Sequence, residues 1–256
     1  MFNLISSGWL LLVITVFLAA SKARAEMRPL STDRPDATES PYTVDAGHYQ
    51  LELEIGNWSK DGSDRQFSFA ELNVKYGLNA SNDLQLVLPF FSHVEGGAEG
   101  FGDIQVRLKH NMWGNDGGKT ALALMPFVRI PTANGGLGDG KVAGGLIVPL
   151  AIEGPSDWAF GTQLEVDAAP DESGSGYHLR VLASVTASHS LTDRTAFFVE
   201  LVGMADAESS GNKEGYFNTG LTWALAEYTQ LDGGVRVGLT DASSDLTPFL
   251  GISRKF

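Results

Sequence analysis

The sequence predicts an all-β fold, a closed antiparallel transmembrane β-barrel of about 12 strands, and three observations predict it. Runs of residues alternate apolar and polar with period 2, the mark of strands with one greasy face and one wet face. These runs average about ten residues, close to the roughly 9–11 that a tilted strand needs to cross a bilayer and long against the mode of about 5–6 in soluble sheets. Short connections alternate along the chain with longer, acidic, glycine-rich ones, as when short turns lie on one rim of a barrel and long loops on the other.

The chain of 256 residues opens with an apolar run, Trp9 to Ala20, that is too short to span a bilayer as a helix. A polar stretch and the small-x-small site Ala23-Arg24-Ala25 follow. Residues 1–25 therefore read as a secretory signal peptide cleaved after Ala25, although the n-region lacks Lys and Arg. Residues 26–46, EMRPLSTDRPDATESPYTVDA, are polar and punctuated by proline. They read either as a periplasmic N-terminal segment, the default for a terminus, or as a plug whose Asp33, Arg34, Asp36 and Glu39 pair with charges on a barrel wall.

Residues 47–256 form the predicted barrel. The first strand, 47–58, sets Tyr49, Leu51, Leu53 and Ile55 against Gln50, Glu52 and Glu54. The second, 66–78, sets Leu72, Val74, Tyr76 and Leu78 against Glu71, Asn73 and Lys75. Strands at 83–90 and 102–112 continue the pattern, the latter with Ile104, Val106 and Leu108 against Asp103, Gln105, Arg107 and Lys109. Those at 120–130 and 142–152 are apolar on both faces and alternate weakly. The strand at 158–167 sets Trp158, Phe160, Leu164 and Val166 against Gln163, Glu165 and Asp167, and the one at 177–191 sets Leu179, Val181 and Val185 against His178, Arg180 and Ser184. Strands at 195–203, 216–225, 230–239 and 247–256 complete the set, and the even count puts both termini on the short-turn, periplasmic rim.

The apolar faces read as pointing outward. Turned inward, they would line a cavity too wide for side chains to fill. Turned outward, they meet lipid while barrel closure satisfies every backbone group. Tyr49, Trp58, Tyr76, Phe90, Trp158, Tyr177, Trp223 and Phe256 lie near strand ends, where interfacial aromatic girdles belong. The lumen-lining candidates are then Glu52, Glu54, Glu71, Asp103, Glu165, Asp167, Glu200 and Asp232, with Lys75, Lys109, Arg107, Arg129, Arg180 and Arg236. Two readings of this set stay open. The charges sort solutes by sign, or they pair with one another and brace the interior.

Composition removes several function classes. Without residues 1–25 the chain keeps 16 basic and 31 acidic side chains, a net charge of −15 that argues against nucleic acid as a partner. The absence of cysteine fits export without disulfides. No catalytic residue, metal ligand or cofactor is predicted. His189 faces outward, but its neighbours Ser188 and Ser190 lie on the opposite strand face, so no hydroxyl can pair with it as a nucleophile. The histidines His48, His93, His110, His178 and His189 show no metal-ligand spacing. Glu52 and Glu54 share a face, but two acids do not make a glycosidase. The glycine-rich PTANGGLGDGK lacks the Ser or Thr of a phosphate loop, since Val142 follows Lys141.

The stretches STDRPDATESPYTVDAGHYQLELE, GFGDIQVRLKHNMWG, ALMPFVRIPTANG and LGISRKF, in this order from about Ser31 to Phe256, resemble the outer-membrane β-barrel family labelled for the meta-pathway of phenol degradation. The resemblance implies a transporter in the bacterial outer membrane that allows passive uptake of small, aromatic or hydrophobic molecules. Its implied partners are outer-membrane lipid, the solute, and the barrel-assembly machinery, which reads Phe256. Arg254 departs from the aromatic or apolar residue usual third from the end of such proteins. Two alternatives remain: a closed structural or adhesive outer-membrane barrel without transport, and a soluble exported β-sandwich that binds a ligand.

Overall fold

The computed structural model describes residues 27–171, 175–208 and 213–256; the predicted signal peptide lies outside them. Among the described residues all regular structure is strand. In chain order the strands are β1 (Tyr49–Asp61), β2 (Asp64–Asn79), β3 (Asn82–Val94), β4 (Glu99–Gly100), β5 (Ile104–Trp113), β6 (Thr120–Ile130), β7 (Ala143–Glu153), β8 (Trp158–Pro170), β9 (Tyr177–Thr192), β10 (Thr195–Asp206), β11 (Lys213–Ala226), β12 (Thr229–Gly238) and β13 (Leu246–Lys255).

Each long strand pairs antiparallel with its neighbour in sequence, and β1 pairs with β13, so the sheet closes into a ring of 12 strands. This closure rules out the two-sheet sandwich. The strand unforeseen in the sequence is β4, a two-residue strand that extends β3 at the rim opposite the termini. The seam is fixed by Tyr49 and Phe256, whose backbone groups exchange N–H···O bonds of 3.3 and 2.8 Å. Both ends of the barrel chain thus meet on one rim.

The face question is answered by exposure. Leu84, Leu108, Val128, Leu146, Leu164, Leu179, Val185, Leu201 and Leu221 lie between 39 and 53% exposed on the outside wall. Lys75 and Lys109, on the other parity, are 1% and 0% exposed. A soluble protein does not cover its whole outer wall with leucine and valine while sealing lysine inside; lipid is the solvent that reconciles the two.

The weak alternation of 120–130 and 142–152 also has a physical reason. In β6 and β7 the inward residues are themselves apolar: Ala121, Ala123, Met125, Phe127 and Ile147 are all buried inside the barrel. Met125, Phe127 and Ile147 form one cluster. Phe198 and Phe249 also point inward, against glycines. A Cβ on Gly220 would stand 2.7 Å from the Phe198 ring, and one on Gly234 would stand 2.8 Å from the Phe249 ring. The glycines let the rings lie flat on the wall.

Candidate functional site

The lumen is occupied by the chain's own N-terminal segment, and the bonds that hold it can be followed residue by residue. Near the periplasmic rim, Gly47 donates to the Gly77 carbonyl at 2.8 Å, and a side chain on Gly77 would collide with the Asp45 backbone. Val44 donates to Asp83 at 3.0 Å, Thr43 to Asn115 at 2.9 Å, and Asn111 donates to the Pro41 carbonyl at 2.9 Å. Apart from an isolated bridge of Ala46 to Gly77, the segment has no strand partner, and barrel side chains take up its backbone groups instead.

Deeper in, the contacts become ionic. Glu39 pairs with Arg107 at 2.6 Å. The backbone N–H groups of Ala37 and Thr38 donate to Glu200 at 2.9 and 2.8 Å, and Asn218 donates to the same carboxylate at 2.6 Å. Arg34 bridges Glu54 at 3.0 Å and Asp232 at 2.9 Å, so it ties β1 to β12 through one guanidinium. Gly251 makes this possible, because a Cβ there would stand 2.3 Å from the Arg34 Nη2. Asp33 pairs with Lys75 and, at 2.6 Å, with Lys109, while Glu52 accepts from the backbone N–H of Asp33 and Arg34 and pairs with Lys75.

Electrostatics differ along the segment. Burial works to raise the Asp33 pKa, but Lys109 and Lys75 hold it well below the usual carboxylate range. Asp36 has no such cations. Burial and the facing Glu200 carboxylate push it up to about 7.

The predicted lumen residues divide into three groups. Glu52, Glu54, Lys75, Arg107, Lys109, Glu200 and Asp232 all grip the N-terminal segment. Glu71 and Arg236 line a remaining cavity of about 140 Å³ beside Pro35, Asp36 and Ala37. There Arg236 lies 3.9 Å from Glu54 and 5.1 Å above the Phe249 ring. The others serve wall or rim. Asp167 and Arg180 form a cross-strand pair at 2.9 Å, with Glu165 beside them on β8. Arg129 pairs with Asp139 at 2.9 Å. Asp103 stands ahead of β5 rather than on a strand, and it accepts from the backbone of Ala133 and Asp139, bracing the β6–β7 connection.

Several groups that grip the segment were not singled out in the sequence: Asp83, Asn111, Asn115 and Gln163, with Asn218 bracing Glu200 behind them. Lumen-side parity was the available signal for Asp83, Asn111 and Gln163; Asn115 lies in the β5–β6 turn, where parity gives none. His189, by contrast, packs among Trp158 and Phe197, with ring centroids 4.8 and 6.2 Å away.

A family profile described as "Putative MetA-pathway of phenol degradation" matches residues 32–256. The match begins inside the N-terminal segment, so it takes in most of the lumen-filling residues as well as the wall. Among solved structures, the COG4313 outer membrane channel from Pseudomonas putida F1 superposes with a TM-score of 0.62 at 14% identity, covering 88% of this chain and 100% of that one. The NanC porin gives 0.58 at 12% identity over 80% and 100% of the two chains. The KdgM porin in complex with disordered oligogalacturonate gives 0.54 at 6% identity over 82% and 99%. At these identities the likeness is one of fold. No curated protein matches the chain in sequence.

Proposed function

Because the chain belongs to the family described as putative MetA-pathway of phenol degradation, we propose that it is an outer-membrane channel for passive uptake of small molecules, restricted by its own N-terminal segment. The observation that carries this reading is a closed barrel with a lipid-compatible wall and a charged interior. A wall of this kind needs no energy source or cofactor to let solutes diffuse through it. On this reading the chain is exported by its signal peptide, the barrel lies in the bacterial outer membrane, and Phe256 on the closing strand is the residue read during assembly.

The family label suggests aromatic solutes. The inward Met125, Phe127, Phe198 and Phe249 support that suggestion, since they offer apolar surface beside the charges. One observation favours a second reading, a closed barrel without transport: Lys75, Lys109, Glu52 and Glu200 are sealed by the segment rather than bathed in lumen water. Swelling of liposomes that carry the refolded protein separates the two. Permeation by small solutes, phenols among them, supports the channel. Liposomes no leakier than protein-free ones would leave only the closed barrel.

A further inference from the structure

Away from the N-terminal segment, one polar constellation lies at the rim opposite the termini. His178 is the second residue of β9, Asp171 follows the end of β8, Asp206 ends β10 and Glu208 lies just beyond. The His178 Nδ1 is 3.1 Å from Asp171 Oδ1 and 3.2 Å from Glu208 Oε2, while its Nε2 is 3.0 Å from Asp206 Oδ1. These groups come from three strands and converge on a single imidazole.

Three carboxylates around one imidazole leave negative charge in excess. An imidazole has two nitrogens, and the neutral ring carries its proton on one of them. With Nε2–H donated to Asp206, the Nδ1 lone pair faces two carboxylate oxygens. A proton on Nδ1 would relieve this repulsion but offset only one of the three carboxylate charges around the ring, whereas a divalent cation there would offset two. The spacing of these atoms is also that of a coordination shell: donors about 2.1 Å from a metal are about 3.0 Å apart at right angles and about 3.4 Å apart in a tetrahedron. The donor atoms of Asp171, His178 and Glu208 all lie within 4.8 Å of one another. A carboxylate on the far nitrogen is the usual outer partner of a metal-bound histidine, fixing its tautomer and orientation. Gly176 leaves room for this arrangement, since a Cβ there would stand 2.3 Å from Asp171 Oδ2.

We propose that Asp171, His178 and Glu208 bind one divalent transition-metal cation, with Asp206 as the positioning residue for His178. One nitrogen with carboxylate oxygens suits zinc or manganese better than the all-oxygen shells of calcium and magnesium. The ion would tie the β8–β9 connection to the β10–β11 connection on the rim where solutes enter. The sequence hides this site because its three ligands and their positioning residue lie at the ends of three strands, each unremarkable in its own run.

The test is calorimetric titration of zinc into untagged, chelator-stripped, refolded protein, with each variant first shown to be folded by its heat-dependent gel mobility. The expected result is one zinc per chain, lost in His178→Ala, weakened about 10–100-fold in Asp206→Asn, and unchanged in His93→Ala. Absence of binding, or binding that survives His178→Ala undiminished, would overturn the proposal. X-ray absorption of the zinc-loaded wild type gives a check free of variants: one nitrogen among oxygen ligands is expected, and an all-oxygen shell would contradict it.

Discussion

Asp33 and Asp36 are three residues apart and titrate in opposite directions. Burial raises Asp33, but Lys109 and Lys75 more than offset it, and its pKa ends well below the usual value of 3.8. Its contribution to holding the segment is therefore present above about pH 3.8 and lost only in stronger acid. Asp36 meets burial and the Glu200 carboxylate with no cation to answer them, with Asp33 adding a smaller repulsion, and is pushed up to about 7. Its stability contribution is fully present below the ordinary carboxylate range and fades as pH rises through about 7. The segment should thus loosen as pH rises from about 4 to about 7. Current through planar bilayers should rise over that interval in the wild type, and Asp36→Asn should flatten the rise. The charged character of these positions was legible in the sequence. Their partners were not, because pairs such as Asp33–Lys109 and Arg34–Asp232 join residues far apart in the chain through the curvature of the ring.

At the scale of the element, the strands were legible because a lipid-facing wall enforces period 2. The predicted strands at 120–130 and 177–191 coincide with β6 and, to one residue, with β9. Alternation weakened only where the interior is itself apolar, at Met125, Phe127 and Ile147. The N-terminal segment has no period at all. Its path is set by individual side chains on the wall, which is why the sequence left tail and plug equally open. Arg34 is the residue on which this path depends most, since it holds carboxylates on β1 and β12 at once, over Gly251 of the strand between them. Arg34→Ala would leave Asp232, whose side chain is 0% exposed, without its cation. Breaking a buried pair from one side costs about 3–5 kcal/mol. The variant should lose its folded gel mobility at a lower temperature and show a larger unit conductance. If neither changes, Arg34 does not hold the segment in place.

Over the whole molecule, one choice of face orders everything else. Apolar side chains outward make lipid the solvent of the wall, and that confines the charges at mid-strand to the lumen, where the N-terminal segment supplies counter-charges. The outward assignment has its own test. Leu164 lies mid-strand on β8 and is 48% exposed. Leu164→Arg should destabilise the barrel in bilayers by about 2–4 kcal/mol, read from urea unfolding in liposomes. A change near zero would mean that this face does not meet hydrocarbon.

The central claim is that a lipid-embedded barrel conducts around a segment that restricts it, and a reversible tether tests it most directly. The Thr38 and Ser184 hydroxyls are 2.7 Å apart, and the chain has no cysteine to interfere. Planar-bilayer conductance of Thr38→Cys/Ser184→Cys should be low when the disulfide is formed and should rise when it is reduced, as the segment regains its freedom to move. Equal current in the two states would contradict a restricting role for the segment, and no current in either would contradict a channel.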